Sequence, residues 1–524
     1  MFMLPFASMQ AHVTANAGWV DYLIIGLYFV VTLGIGFVLR RRMRTSNDFF
    51  LSGRSLPSWV TGLAFVGANL GALEILGMGA NAAQYGILQA HFYWIGAIPA
   101  MIFVAIFMMP FYYGSKTHSV PGFLKLRYNE ATRGFNAITF GILTLLTSGI
   151  NMYAAALVFN VLLGWSLDAC IWLAALFIMT YILLGGLTSS IYNETLQFFL
   201  IVAGLFPLSI VGLINVGGWA GLQARVHNAA FFHLWAGTAT NNNPFGVNFI
   251  GIVLGLGFVL SFGYWCTDFL VVQRALAAEN QAAAERTPLI ATFPKLFFPF
   301  LAIVPGLVIL SVLPGLGHGG GFENSYNMAI PFAMAHYFPS GILGLGLTAL
   351  LAAFMSGMAG NVTAFNTVWT YDIYRSYIKR DAPDRHYLWM GRIITVVGII
   401  LSVGTAYRRR VQQYYGLCPG LVLRGQCPTA GDLPAWHVLE THDTVGWLHR
   451  VAHWYVVLPV SLGGGTIFPS VLLREFRGLQ YVARADRLSH LFCGDHRRLT
   501  LDQTQARCRT QRAGLQFNAK GRSR

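Results

Sequence analysis

The sequence predicts an all-α polytopic membrane protein, and three observations carry that prediction. Of its 524 residues, 55% are hydrophobic and only 10% charged, at a mean hydropathy of +0.55. A soluble chain of this size needs a far more charged surface. Apolar runs of about 20 residues, enough for ~30 Å of hydrocarbon, recur along the chain, and through about residue 407 the basic residues fall mainly between them.

Taken in order, the runs lie at about 19–39, 57–82, 90–112, 134–163, 166–187, 195–216, 247–270, 290–314, 340–371 and 388–407. Ten spans are expected. Arg40, Arg41, Arg42, Arg44 and Arg54 follow the first, and Lys116, Lys125, Arg127 and Arg133 follow the third. Arg274 and Arg286 follow the seventh; Arg375, Lys379, Arg380 and Arg385 follow the ninth. The intervening loops, at about 83–89, 217–246 and 315–339, carry one arginine, Arg225. The positive-inside rule therefore puts the odd-numbered spans' ends in the cytoplasm and residues 1–18 outside. A multi-pass cell-membrane protein in a lipid bilayer is expected.

The same arithmetic excludes other classes. A net charge of +15 invites a nucleic-acid reading, but topology accounts for the basic residues up to residue 407. Six cysteines form neither a metal-ligand nor a disulfide pattern. The first 18 residues lack Lys and Arg, unlike a signal peptide. No phosphate-cradling motif supports an ATP-driven pump, and no catalytic constellation supports an enzyme.

The second span is interrupted by Gly62, Gly67, Gly71, Gly77 and Gly79. Backbone unwound in mid-membrane is tolerated only where protein or a water-filled cavity satisfies it, so a broken helix marks a candidate ion and substrate site. Close helix packing is the plainer use of such glycines.

After Tyr407 the text changes. Residues 408–524 hold four of the six cysteines and 17 of the 35 Lys+Arg. Arg408, Arg409 and Arg410 also sit at the outer end of the tenth span, against the topology just derived. From Val411, a reading frame shifted by one base permits an apolar helix containing NAPLLATFLLGMFWKR, where an eleventh span belongs. Residues 19–407 are thus expected to form the transporter domain and 408–524 an out-of-frame region.

Four segments carry a resemblance. They are NDFFLSGRSLPSW (Asn47 to Trp59) with the following GANLGALEILGMG, GGLTSSIYNETLQFF (Gly185 to Phe199), YWCTDFLVVQRALAAEN (Tyr264 to Asn280) and LLAAFMSGMAGNVTAFNTVWTYDIY (Leu350 to Tyr374). Over roughly residues 20–407 the chain resembles the sodium:solute symporters, the sodium/glucose cotransporter family. The resemblance implies a LeuT-type core of two inverted five-helix repeats with one extra N-terminal helix. The last core helix is missing or scrambled in the frame as written.

It also implies a site between the repeats at the membrane midplane. The positions matching the family's sodium site are the carbonyls of Gly67, Leu70 and Ala353 and the hydroxyl of Ser356. Gly357 stands where the family usually carries a second hydroxyl, which leaves open a water in its place or a proton as the coupling ion. Glu194 matches the family's acidic residue near the inner cation exit; a helix N-terminal carboxylate is the bland alternative. Asn69, Glu74, Tyr93, Ser261, Tyr264, Trp265 and Lys295 are the substrate-site candidates. Glu74 stands where sugar carriers have His or Gln, and Tyr93 where they have Glu. An ionised carboxylate in mid-helix costs ~2.5–3.5 kcal/mol on insertion scales, so Glu74 needs a partner or a function, and Lys295 is the natural partner.

The expected function is secondary active transport by alternating access: symport of a small polar solute with a cation, sodium first, and no other cofactor. One charge crossing 100 mV is worth ~2.3 kcal/mol, roughly a 50-fold solute gradient. A non-functional remnant, a proton-coupled carrier and a solute sensor are the alternatives. Oligomeric state is not legible.

Overall fold

The computed structural model describes residues 17–226, 228–235, 248–317 and 326–415. The expectations for residues 1–16 and 416–524, including most of the out-of-frame region, lie outside the described residues. Within them the chain is a bundle of long apolar helices.

Helix α1 (Trp19–Leu39) is followed by a broken span, α2 (Ser58–Asn69) and α3 (Leu73–Ala90), whose halves bend by 62°. Then come α4 (Phe92–Gly114), α5 (Glu130–Leu163) and α6 (Leu167–Val216). After these follow α7 (Phe249–Thr267), the short α8 (Phe269–Leu276), α9 (Gln281–Leu310), α10 (Ile342–Ile378) and α11 (Asp384–Tyr415). Side-chain caps set several starts: Asn129 accepts from the Thr132 N–H at 2.9 Å, and Asn280 from that of Ala283 at 2.9 Å.

Helix α6 has 50 residues, about 75 Å at 1.5 Å per residue and far more than one crossing. It is two spans joined at Gly186, whose φ of 51° and ψ of −144° break the helix. A β-carbon there would sit 2.6 Å from the carbonyl oxygen of Phe49, so only glycine fits. Counting α6 twice and α2/α3 once yields the ten expected crossings. Helix α11 runs past Tyr407 to Tyr415, so the expected boundary falls inside a helix.

Two spans are broken. At the first break Leu70 leaves the helical region, with φ −77° and ψ 54°. At the second, Asp268 turns extended between α7 and α8, and its carboxylate caps the restarted helix by accepting from the Leu270 N–H at 2.8 Å. These are spans two and seven, the first helix of each five-helix repeat. Helix α10 lies at the centre, with almost every residue from Leu343 to Val368 buried, and it packs on α5, α6 and α2.

Candidate functional site

The site is built where α2 stops. Leu70 leaves the helix while its N–H still donates to the Gly67 carbonyl at 2.9 Å, and α10 supplies the facing hydroxyl. Ser356 is fully buried and donates its hydroxyl to the Gly67 carbonyl at 2.8 Å. Leu70 and Ala353 are also fully buried, at the same break and one turn earlier on α10. The structure thus brings the Gly67 and Ser356 positions into direct contact across 289 residues of sequence.

Gly67 cannot be replaced without cost. A β-carbon would lie 2.7 Å from the backbone oxygen of Glu194, so α2 rests directly on the second half of α6. The Glu194 carboxylate points elsewhere. It accepts from the Ser190 hydroxyl at 2.7 Å and from Arg274 Nε at 3.0 Å, with a second, shorter contact from the Arg274 Nη2. Both side chains of this pair are fully buried. Arg274 also donates to the Leu270 carbonyl at 2.7 Å and to Gln273 at 3.2 Å.

This corrects the reading of Arg274 as a loop cation that only sets topology. It lies on α8, wholly inside the protein. A buried charge survives when paired and hydrogen-bonded, and Arg274 meets both conditions.

Beside the break, Lys295 of α9 projects its ammonium between two partners of the broken span. It donates to Glu74 at 2.5 Å and to the side-chain oxygen of Asn69 at 2.5 Å. Lys295 is 1% exposed and Glu74 13%. Asn69 completes the chain by donating its amide to the Tyr264 hydroxyl at 3.0 Å. The amide assignment is forced, since an ammonium only donates.

Aromatic rings wall the ammonium. Its nitrogen lies 5.2 Å from the Tyr93 ring centroid, 5.3 Å from Trp265 and 4.6 Å from Phe298, within the reach of cation–π attraction. Trp265 stacks on Phe65 of α2 at 5.7 Å and meets Tyr264 edge-on at 5.0 Å. Tyr93 is itself buried, so its ring walls the ammonium from inside the protein. Six of the seven substrate candidates therefore converge.

Ser261 is the seventh. Its hydroxyl donates to its own helix at the Leu256 carbonyl, 2.8 Å away, and packs on Gly96 of α4. No hydrogen bond joins it to the cluster.

One polar residue escaped the sequence reading. Asn151 of α5 is 2% exposed and accepts from the Ala72 N–H at 2.7 Å, just where the broken span restarts. An amide in mid-span between apolar neighbours was the available signal.

The profile of the Sodium:solute symporter family matches residues 49–417. The chain belongs to that family. It is similar to the Sodium/glucose cotransporter of Vibrio parahaemolyticus, with 28% identity over 79% of this chain and 81% of the relative. It is also similar to Sodium/glucose cotransporter 2 of Rattus norvegicus, with 26% identity over 76% of this chain. There the chain spans only 63% of the relative's length. A solved structure, the substrate-bound outward-open state of a Na+-coupled sialic acid symporter, shares the fold at a TM-score of 0.67 and 21% identity. That likeness covers 76% of this chain and 84% of the solved one. The sodium:solute symporter is thus a multi-pass membrane protein with a LeuT-like helical core.

Proposed function

We propose that this symporter carries a small polar solute into the cell with sodium. The observation that supports it best is the contact of the Ser356 hydroxyl with the Gly67 carbonyl at a broken helix. Two oxygens of different helices meet there in a dry interior, with the Leu70 and Ala353 carbonyls on the same two elements. Sodium is favoured over a proton because this is an oxygen set of carbonyls and hydroxyl, and the carboxylate of Glu194, whose backbone lies against Gly67, is paired with Arg274.

The solute would bind at Asn69, Glu74, Tyr264, Trp265 and Lys295, with Tyr93 behind them. A polar molecule can exchange its own groups for the hydrogen bonds among Asn69, Glu74 and Lys295, while Trp265 supplies an apolar platform. Binding then changes the contacts between the broken span and α9. Only a difference in affinity between two states can drive alternating access, and these contacts offer one.

The N-terminus outside, the plasma membrane as location and the shifted frame after Tyr407 belong to the same reading. The test is uptake into proteoliposomes under an imposed sodium gradient, for the chain as written and for a frame-restored version. A screen of sugars, carboxylates and amines by thermal stabilisation, with and without sodium, would supply the solute. Solute accumulation that ignores sodium but follows pH would overturn sodium coupling; none under any gradient, in either version, would overturn transport.

A further inference from the structure

We propose that the side-chain oxygen of Asn151 replaces the hydroxyl absent at Gly357 and completes the sodium site. The inference rests on the sodium-site reading above and adds a residue from a third helix, α5, to it.

The orientation of Asn151 is determined by its two partners. The Ala72 N–H can only donate, so the group 2.7 Å from it is the amide oxygen. The Thr147 carbonyl can only accept, so the group 2.9 Å from it is the amide nitrogen. The oxygen therefore points at the break in the α2/α3 span, and the nitrogen is held back on α5.

Two glycines make room for it. A β-carbon on Gly357 would lie 2.9 Å from the Asn151 oxygen and 2.9 Å from the Cα of Gly71. A β-carbon on Gly71 would lie 2.5 Å from the same oxygen. The Asn151 amide and the Gly71 backbone together thus leave no room for a side chain at position 357. The loss of a hydroxyl on α10 and the presence of an amide on α5 form one steric unit. The amide oxygen lies 2.9 Å from where a β-carbon of residue 357 would stand, on the face of α10 where that residue would carry its side chain.

The chemistry is adequate. A hard cation in a dry site takes about five or six oxygens. The carbonyls of Gly67, Leu70 and Ala353 and the Ser356 hydroxyl make four, and Asn151 supplies another. An amide oxygen has two lone pairs, of which Ala72 uses one. The same side chain satisfies an N–H left without an intrahelical partner at the helix restart. A residue serving only as that cap would affect stability but not the response to sodium, and the two roles separate by experiment.

The experiment is thermal unfolding of the full chain in detergent, titrated with NaCl against choline chloride at constant ionic strength. The parent should be stabilised by sodium with a defined midpoint. Asn151→Ala should raise that midpoint about tenfold, the effect of ~1.4 kcal/mol of lost binding. Asn151→Asp keeps the oxygen and adds charge, so its midpoint should fall, and this variant decides the matter if the alanine variant does not fold. An unchanged midpoint in Asn151→Ala or in Asn151→Asp would overturn the inference while leaving sodium coupling intact. No sodium response in the parent itself would overturn both.

Discussion

The guanidinium of Arg274 closes on the carboxylate of Glu194 across 80 residues of sequence, with both side chains fully buried. The pair ties α8, which follows the second break, to the half of α6 that carries the first break on its backbone. Removing one partner leaves a lone charge in the interior, which costs ~3–5 kcal/mol. Arg274→Met should therefore lower the unfolding temperature sharply, and adding Glu194→Gln should recover most of the loss. Thermal unfolding of the two single variants and the double variant reads the coupling. Additive losses would show that the pair is not an energetic unit.

The Glu74–Lys295 pair should behave differently, because it also holds Asn69 and lies in the proposed solute site. Glu74→Gln leaves the Lys295 ammonium with an amide oxygen to bond, so stability should fall by only about 1–3 kcal/mol. Solute affinity should fall by about tenfold or more if the carboxylate touches the solute. Uptake measured against solute concentration checks this. An unchanged affinity and rate would remove Glu74 from the binding site and leave it as an internal partner of Lys295.

How much of this was legible in the sequence depends on which residues were charged. Spans one to ten followed from apolar length alone, because lipid leaves few alternatives to helices. The break after Asn69 was signalled by glycine, and the need of Glu74 for Lys295 by the cost of a charge in mid-span. Arg274 was hidden for the opposite reason. It stands near the end of an apolar run, where an arginine ordinarily sets topology, and only the fold shows that α8 turns back inside. The joint between spans five and six was legible as a gap between two apolar runs, but its place at Gly186 was not, because the need for glycine there comes from the Phe49 carbonyl of a distant segment. Asn151 is a single neutral amide, too small a departure in hydropathy to register. Its importance comes from Gly71 and Gly357, which are distant in sequence.

Ser356→Ala should expose the sodium site directly. The hydroxyl that donates to the Gly67 carbonyl at 2.8 Å is lost, and the small cavity left is mild because alanine differs by one atom. Net hydrogen-bond loss is ~0.5–1.5 kcal/mol in stability. The larger effect should be on sodium, whose half-saturating concentration for uptake should rise about tenfold. At saturating sodium the maximal rate should return. A rate that falls without any shift in sodium dependence would place Ser356 outside the ion's reach.

The last prediction concerns pH and a group outside the membrane spans. His118 lies in the connection between α4 and α5, stacked on Tyr371 with ring centroids 4.2 Å apart. Burial, with the cations of Arg54 and Arg375 adding to it, pushes its pKa down from 6.5 to about 4. The folded protein therefore holds the neutral ring where the unfolded chain would protonate it. Between pH 6.5 and about 4 the unfolded state binds more protons, so stability rises with pH across that window and is lost as pH falls through it. Above pH 6.5 both states are neutral and His118 contributes no slope. His118→Gln removes the titrating group, so its unfolding temperature should drop less than the parent's between about pH 7.5 and pH 4.5, which covers most of that window. Paired melts at the two pH values measure the difference. Equal drops in parent and variant would show that the ring is not held neutral by its surroundings.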